Sequence, residues 1–305
     1  MTDNARWVRP LGTAGGDGWD VAISPDDEGW EHTGLYAGWL ADGETRSLET
    51  GDGEVVVVPL SGAVGVTCVD TSGEKHEAEL AGRPSVFAGP TDVAYVPRGA
   101  ELSLSGRGAA RVALVWARTT SERALSFRHV GADEVPVELR GAGQSSREVR
   151  NFGTPGVLDA DSLIACEVIT PAGNWSSWPP HKHDEERPGL ETQLEEIYYF
   201  ELAPEAGAPE GSGTDPVGYQ RVYGTKGRPI DVLAEVRTGD VVLVPHGWHG
   251  PAMAAPGYDL YYLNVMAGPG RERAWLICDD PAHAWVRGTW AAQHLDPRLP
   301  LGGHR

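Results

Sequence analysis

The sequence predicts an all-β protein built from two tandem barrels, with few short helices. Two observations carry this. Glycine (40) and proline (23) are abundant among the 305 residues, and short runs of β-branched and aromatic residues recur between Gly, Pro and Asp. Many short strands closed by frequent turns are the pattern of a β-sandwich or barrel. The chain also resembles itself at about half its length, the mark of a duplicated domain.

The strand runs lie at 54–60 (EVVVVPL), 93–96, 111–116 (RVALVW), 163–169 (LIACEVI), 196–202 (EIYYFEL), 219–223, 240–245 and 258–266. The best helix candidate is 281–290, where Asp279 or Asp280 caps and Pro281 opens the first turn. The self-similarity sets Val93-Ala-Tyr-Val-Pro97-Arg-Gly99 against Val241-Val-Leu-Val-Pro245-His-Gly247, with Asp92 and Asp240 in front of each. Upstream, Glu54-Val-Val-Val-Val matches Glu196-Ile-Tyr-Tyr-Phe. A polar stretch at 119–147 holds the boundary, which divides the chain into 1–125 and 126–305.

Charge and cysteine content narrow the function classes. Against 25 Lys and Arg stand 44 Asp and Glu, a formal net charge of −19. Nucleic acid and anionic membrane surfaces need clustered cations, so neither is an expected partner. No run approaches the ~20 apolar residues of a membrane span, and MTDNARWVRP has no apolar signal core. Cys68, Cys166 and Cys278 lie far apart with no CxxC, against a disulfide scaffold or a thiolate zinc site. These features point to the cytoplasm.

The chemistry concentrates in the second half. His181 and His183 are two apart, so on an extended strand they share a face. Glu195 and Glu196 begin the strand EIYYF, and His249 follows Pro245-His-Gly247. Three His and one Glu, either Glu195 or Glu196, make a nitrogen and oxygen shell. That shell suits Zn, Mn, Fe(II), Ni or Co, and suits Mg or Ca poorly. The first half has no His-x-His and no counterpart of His249, so it is expected to lack metal ligands and serve structure. Lys182, between the two histidines, points away from them.

Gly173…His-x-His…Glu, followed by Gly239-x5-Pro245-x-Gly247-x-His249…Asn264, resembles the two motifs of the cupin superfamily. PPHKHDEE, LEEIYYFEL, YQRVYG, GDVVLVPHGWH and GYDLYYLNVMAGPGRERAW resemble, more narrowly, the bacterial 5-deoxy-glucuronate isomerase family of inositol catabolism. The closest likeness spans about 173–285. It implies a bicupin: two double-stranded β-helix (jelly-roll) barrels, the C-terminal one catalytic. By its motifs His181, His183, Glu196 and His249 hold one divalent transition metal, zinc foremost. Strand alternation from Glu196 then turns Tyr198 and Phe200 inward and Tyr199 outward, with Tyr262 and Asn264 inward and Tyr261 outside. His246 and Trp248 stand where the family pattern leads one to expect Arg and Tyr.

The implied reaction is aldose–ketose isomerisation of 5-deoxy-D-glucuronate to 5-deoxy-2-keto-D-gluconate through a metal-stabilised enediolate. A base moves the proton from C2 to C1; Tyr198, Tyr262, a metal-bound hydroxide and Glu195 are the candidates. Arg221, flanked by Tyr219 and Tyr223, is the expected partner of the substrate carboxylate, because arginine binds carboxylates bidentately. Tyr223 and Asn264 are the other expected substrate contacts. Rival readings on the same fold are the pectin-pathway 4-deoxy-L-threo-5-hexosulose-uronate ketol-isomerase, an Fe(II) dioxygenase, and a metal- or sugar-binding module without turnover. A homo-oligomer with edge strands buried between subunits is expected.

Overall fold

The computed structural model describes residues 2–119, 121, 123–212 and 215–302. Each of the eight expected runs lies on a strand. The valine-rich run of the first half sits in Gly53–Val69, which pairs along most of its length with Glu101–Arg118. Strands this long must bend to enclose a barrel. They do so at register shifts around Ser61, where Gly62 has φ +76° and an added Cβ would lie 2.6 Å from the Ala109 carbonyl. Only glycine meets both demands. The first-half sheet has eight strands, six along one hydrogen-bonded path and two more paired onto its long members, and the second half forms sheets of seven, four and two strands.

The boundary at 125/126 does not separate every contact. Arg128–Val130 pairs with Val93–Val96 in the first-half sheet, while Val8–Arg9 pairs with Val241–Val244 in the second-half sheet. Each half thus lends its leading strand to the other. The two Asp residues preceding the similar strands hold the lent segments: His129 meets Asp92 at 3.3 Å, and the Leu11 amide donates to Asp240 at 2.8 Å.

Strand pairing corrects the internal alignment by one residue. Val55 lies opposite Val96, and Glu196 opposite Val244, each just before the matching proline. Glu54 therefore corresponds to Glu195, and Val55 to Glu196. The sequence offered two adjacent glutamates to match, and a one-residue slip exchanges the faces of a strand. With the register set, Val55, Val57 and Leu114 occupy the positions of Glu196, Tyr198 and Asn264. They join Val64, Val66, Cys68, Leu102, Leu104 and Trp116 in a buried apolar cluster that fills the first barrel.

Glu54 and Glu195 clamp the halves together reciprocally. Glu54 accepts hydrogen bonds from the amides of Asp161, Ser162 and Leu163 and from the Tyr95 hydroxyl. Glu195 accepts from the amides of Glu31, His32 and Thr33 and from the Thr33 hydroxyl. Tyr199 and Tyr261 leave the barrel interior as alternation requires, yet both are buried. The first half covers them: Tyr199 meets Arg111, and Tyr261 donates to Glu167, which also pairs with Arg83 at 3.0 Å.

The helix expected at 281–290 is a 3-10 run over Ala284–Ala292, without a buried residue. Asp280 does not cap it: its side chain accepts the Ala282 amide at 2.8 Å in the turn ahead of the run, which opens at His283 without a side-chain cap. Val286, Gly288 and Thr289 favour no α-helix, and no packed apolar face compensates. Among the described residues no helix is long and apolar enough to cross a membrane. Cys68, Cys166 and Cys278 are free thiols.

Candidate metal centre

The second barrel places its ligand candidates from three elements. His181 begins the short strand His181–Lys182 and exchanges backbone hydrogen bonds with His249. His183 follows on the same face. Glu196 lies second on Glu195–Pro204, and His249 follows the turn after Val241–Val244. The ligand atoms of His181, His183 and His249 lie within 4.8 Å of one another, all three rings buried. Glu196 Oε2 is 3.0 Å from His183 Nε2 and 2.9 Å from His249 Nε2.

The backbone sets the tautomers. His249 Nδ1 lies 2.7 Å from the Gly247 carbonyl and His183 Nδ1 3.3 Å from that of Leu194. With Nδ1–H donated to a carbonyl, each Nε2 presents a lone pair. These two nitrogens are 3.0 Å apart and face an anionic carboxylate, so only a proton or a cation relieves their repulsion. His181 Nδ1 is buried without a partner. At Gly250 (φ +105°) an added Cβ would come within 2.8 Å of the His181 ring, so glycine is what admits the imidazole. The donor set fits a divalent transition metal.

Burial and the two neighbouring imidazoles hold His181 well below the ordinary histidine range, so it stays neutral. Burial also pushes His183 down, but Glu196 lifts it above its ordinary value. Glu196 is lowered despite its burial, by the His183 and His249 imidazoles set against its carboxylate.

Glu195, the other ligand candidate, is taken up by the clamp on the first half. Lys182 points away from the imidazoles, its Nζ 2.6 Å from Asp184 and 2.7 Å from Glu191. Asp184 also accepts the Gly247 amide at 2.9 Å. This latch ties the His-x-His strand to the turn that carries His249. Asp184 and Glu191 were not singled out from the sequence, although the parity that turns Lys182 away from the histidines turns Asp184 with it.

A cavity of about 240 Å³ opens beside the cluster. His181, Glu196, Tyr198, Tyr262 and Asn264 line it, with Arg140, Arg147 and Arg287. Tyr198 and Tyr262 rings lie 5.0 Å apart, and the Tyr262 hydroxyl is 2.6 Å from Ser176 Oγ. Burial first, and Glu196 next, push the Tyr198 phenol well above its ordinary range. Burial raises Tyr262 as well. Both phenols are protonated at neutral pH. Arg221 and Tyr223 are not among the lining residues. Arg221 pairs with Asp231 and donates to the Val232 carbonyl, and the Tyr223 hydroxyl donates to Asp280. Alternation along Gly218–Tyr223 turns Gln220 and Val222 into the barrel and both of these residues away from it. The three arginines were missed because Arg140 and Arg147 lie in the stretch read as a polar boundary, and Arg287 in the run read as a plain helix.

The family model described as KduI/IolB family matches residues 7–286. A 5-deoxy-glucuronate isomerase of Geobacillus kaustophilus is 40% identical over 283 residues, 92% of this chain and 95% of that protein. That of Geobacillus thermodenitrificans is 40% identical over 267 residues, 87% of this chain and 90% of the relative. The crystal structure of an IolB-like protein from Salmonella typhimurium superposes with a TM-score of 0.79 at 35% identity, covering 92% of this chain and 99% of that one. Lactobacillus farciminis oxalate decarboxylase, in its formate complex, matches with a TM-score of 0.62 at 11% identity, covering 90% of this chain and 88% of that one. That likeness speaks for the fold alone, a tandem cupin. With its fold and most of its length matched, the chain belongs to the KduI/IolB family.

Proposed function

We propose that this protein is a metal-dependent aldose–ketose isomerase that converts 5-deoxy-D-glucuronate to 5-deoxy-2-keto-D-gluconate, a step of inositol catabolism. The observation that carries the reading is the convergence of three imidazoles and Glu196 into one cluster, of which His181 and Glu196 line a cavity of about 240 Å³. The relatives at 40% identity over most of the chain are 5-deoxy-glucuronate isomerases, which favours this sugar over the pectin-pathway uronate.

His181, His183, Glu196 and His249 would hold the cation, and zinc is our choice for the resident metal. When bound, it supplies Lewis-acid stabilisation to the sugar's C1 and C2 oxygens as negative charge develops. The chain's own residues do the rest. Glu196 and His181 fix one part of the wall, and Asn264 and Tyr262 on the neighbouring strand extend it. Tyr198, held protonated, donates from its hydroxyl to a sugar oxygen that becomes negative in the enediolate. Tyr262 keeps its proton between its own oxygen and Ser176. Burial of the cluster excludes bulk water, which strengthens each of these contacts. The protein is further proposed to be cytoplasmic and homo-oligomeric.

Stripping the metal with a chelator tests the reading. Turnover of 5-deoxy-D-glucuronate should vanish and return on adding Zn, Mn, Fe(II), Ni or Co, with zinc the ion bound in freshly purified protein. Full turnover by metal-free protein would contradict it.

A further inference from the structure

We infer that Arg147 is the anchor for the substrate's carboxylate, in a subsite completed by Arg140 and Arg287. The inference rests on the isomerase reading only for the identity of the anion; a short carboxylate is what the geometry itself asks for.

Arg147 is 3% exposed and lines the cavity beside His181 and Glu196. Its guanidinium donates to the Ser145 carbonyl at 3.1 Å and to Ser177 Oγ at 3.0 Å, while Nε has no partner. A guanidinium carries five N–H donors, so most of this one's capacity is free. Among the described residues no carboxylate stands within ion-pair distance of it. The other buried arginines differ: Arg83 pairs with Glu167, and Arg150 with Glu148. Burial lowers Arg147 to about 10, which still leaves it charged at neutral pH. A buried, charged and unpaired group is costly, and persists where a ligand completes it.

Its neighbours sharpen the choice of ligand. Arg140 lies directly opposite Arg147 across the strand pair, and like charges so placed repel. Glu138 binds Arg140 through two nitrogens, and Asp279 does the same for Arg287. Those two charges are therefore balanced, and Arg147 holds the unbalanced one. An anion entering the cavity meets one free fork with two balanced cations around it, which suits the single charge of a carboxylate. Ser177 links this subsite to the metal centre: its hydroxyl receives Arg147, and its amide bonds to the carbonyl of Gly250, next to His249. A six-carbon uronate held by its carboxylate at Arg147 presents its aldehyde end to the histidines.

The test compares the metal-loaded wild type, Arg147→Gln and Arg147→Lys. Substrates are 5-deoxy-D-glucuronate and 5-deoxy-D-glucose, the neutral sugar with a hydroxymethyl in place of the carboxylate. Calorimetric titration with D-gluconate and D-glucitol adds a readout independent of turnover. Arg147→Gln should lower kcat/KM for the uronate by about 100-fold, since truncating one partner of a buried charge pair is costly. The neutral sugar should change less than about threefold, with Arg147→Lys intermediate and bound metal unchanged. Gluconate affinity should fall with the same order while glucitol does not. Equal losses on both sugars, or gluconate binding indifferent to Arg147, would overturn the subsite. Arg147-dependent gluconate binding by a wild type that turns over neither sugar would uphold the subsite and sink the isomerase reading instead.

Discussion

Glu195 and Glu196 are adjacent, chemically identical and divided in duty by strand parity. Glu196 faces the histidines, while Glu195 faces the first half and accepts four hydrogen bonds there. Glu196→Gln should therefore lose most of its bound metal while remaining folded, as metal analysis and melting would register. Glu195→Gln should retain stoichiometric metal yet lose about 2–4 kcal/mol of stability, as expected when a buried hydrogen-bonded carboxylate is removed. Metal loss in both variants to the same degree would dissolve the distinction. At this scale the histidines were legible because their spacing alone puts them on one face. Which glutamate joins them was not, since spacing permits either and only cross-strand register decides. Arg221 shows the same limit: an arginine between two tyrosines reads as a binding residue, but the strand's register turns it to Asp231 and away from the cavity.

The elements that carry the ligands are short, and something must hold them. His181–Lys182 is a two-residue strand, too brief to be rigid by itself. The Lys182–Asp184–Glu191 latch supplies the constraint, and Asp184 reaches across to the Gly247 amide beside His249. Asp184→Asn should lower metal affinity by about tenfold or more, the scale expected of groups that orient ligands, with the four ligands untouched. Competition with a chromophoric chelator measures it, and unchanged affinity would remove the latch from the centre's support. The strands themselves were legible because β-branched runs between glycines and prolines have few other uses. The 3-10 run at Ala284–Ala292 was not, because the Asp280–Pro281 signal marks a turn ahead of it and the run opens at His283 without a side-chain cap.

Across the whole molecule, the first barrel is filled with apolar side chains where the second holds its cavity, and it covers that barrel's outer face. Charged groups cross the contact: Arg83 meets Glu167, Arg111 meets Glu201, and Arg150 donates to the Val86 and Gly89 carbonyls. The interleaved leading strands and this buried network were not readable from sequence, since no local pattern tells which outward tyrosine meets solvent and which meets the other barrel. Burial alone would raise Glu167, but Arg83 and Arg150 hold it below its ordinary value; Asp184 and Glu191 are likewise lowered by Lys182. Carboxylates lowered by folding contribute stability above their unfolded pKa and lose it as pH falls through the folded value. The melting temperature should therefore hold between about pH 7 and 5 and drop steeply below about pH 4, with a shallower drop in Glu167→Gln. Equal slopes would remove Glu167 from the acid response. We propose that this bicupin isomerises a deoxy uronate at its metal centre. An NMR time course of 5-deoxy-D-glucuronate with the metal-loaded protein tests it most directly. The C1 signals of the aldose should disappear as those of the 2-keto product grow; an unchanged spectrum with metal confirmed in the sample would overturn the isomerase reading.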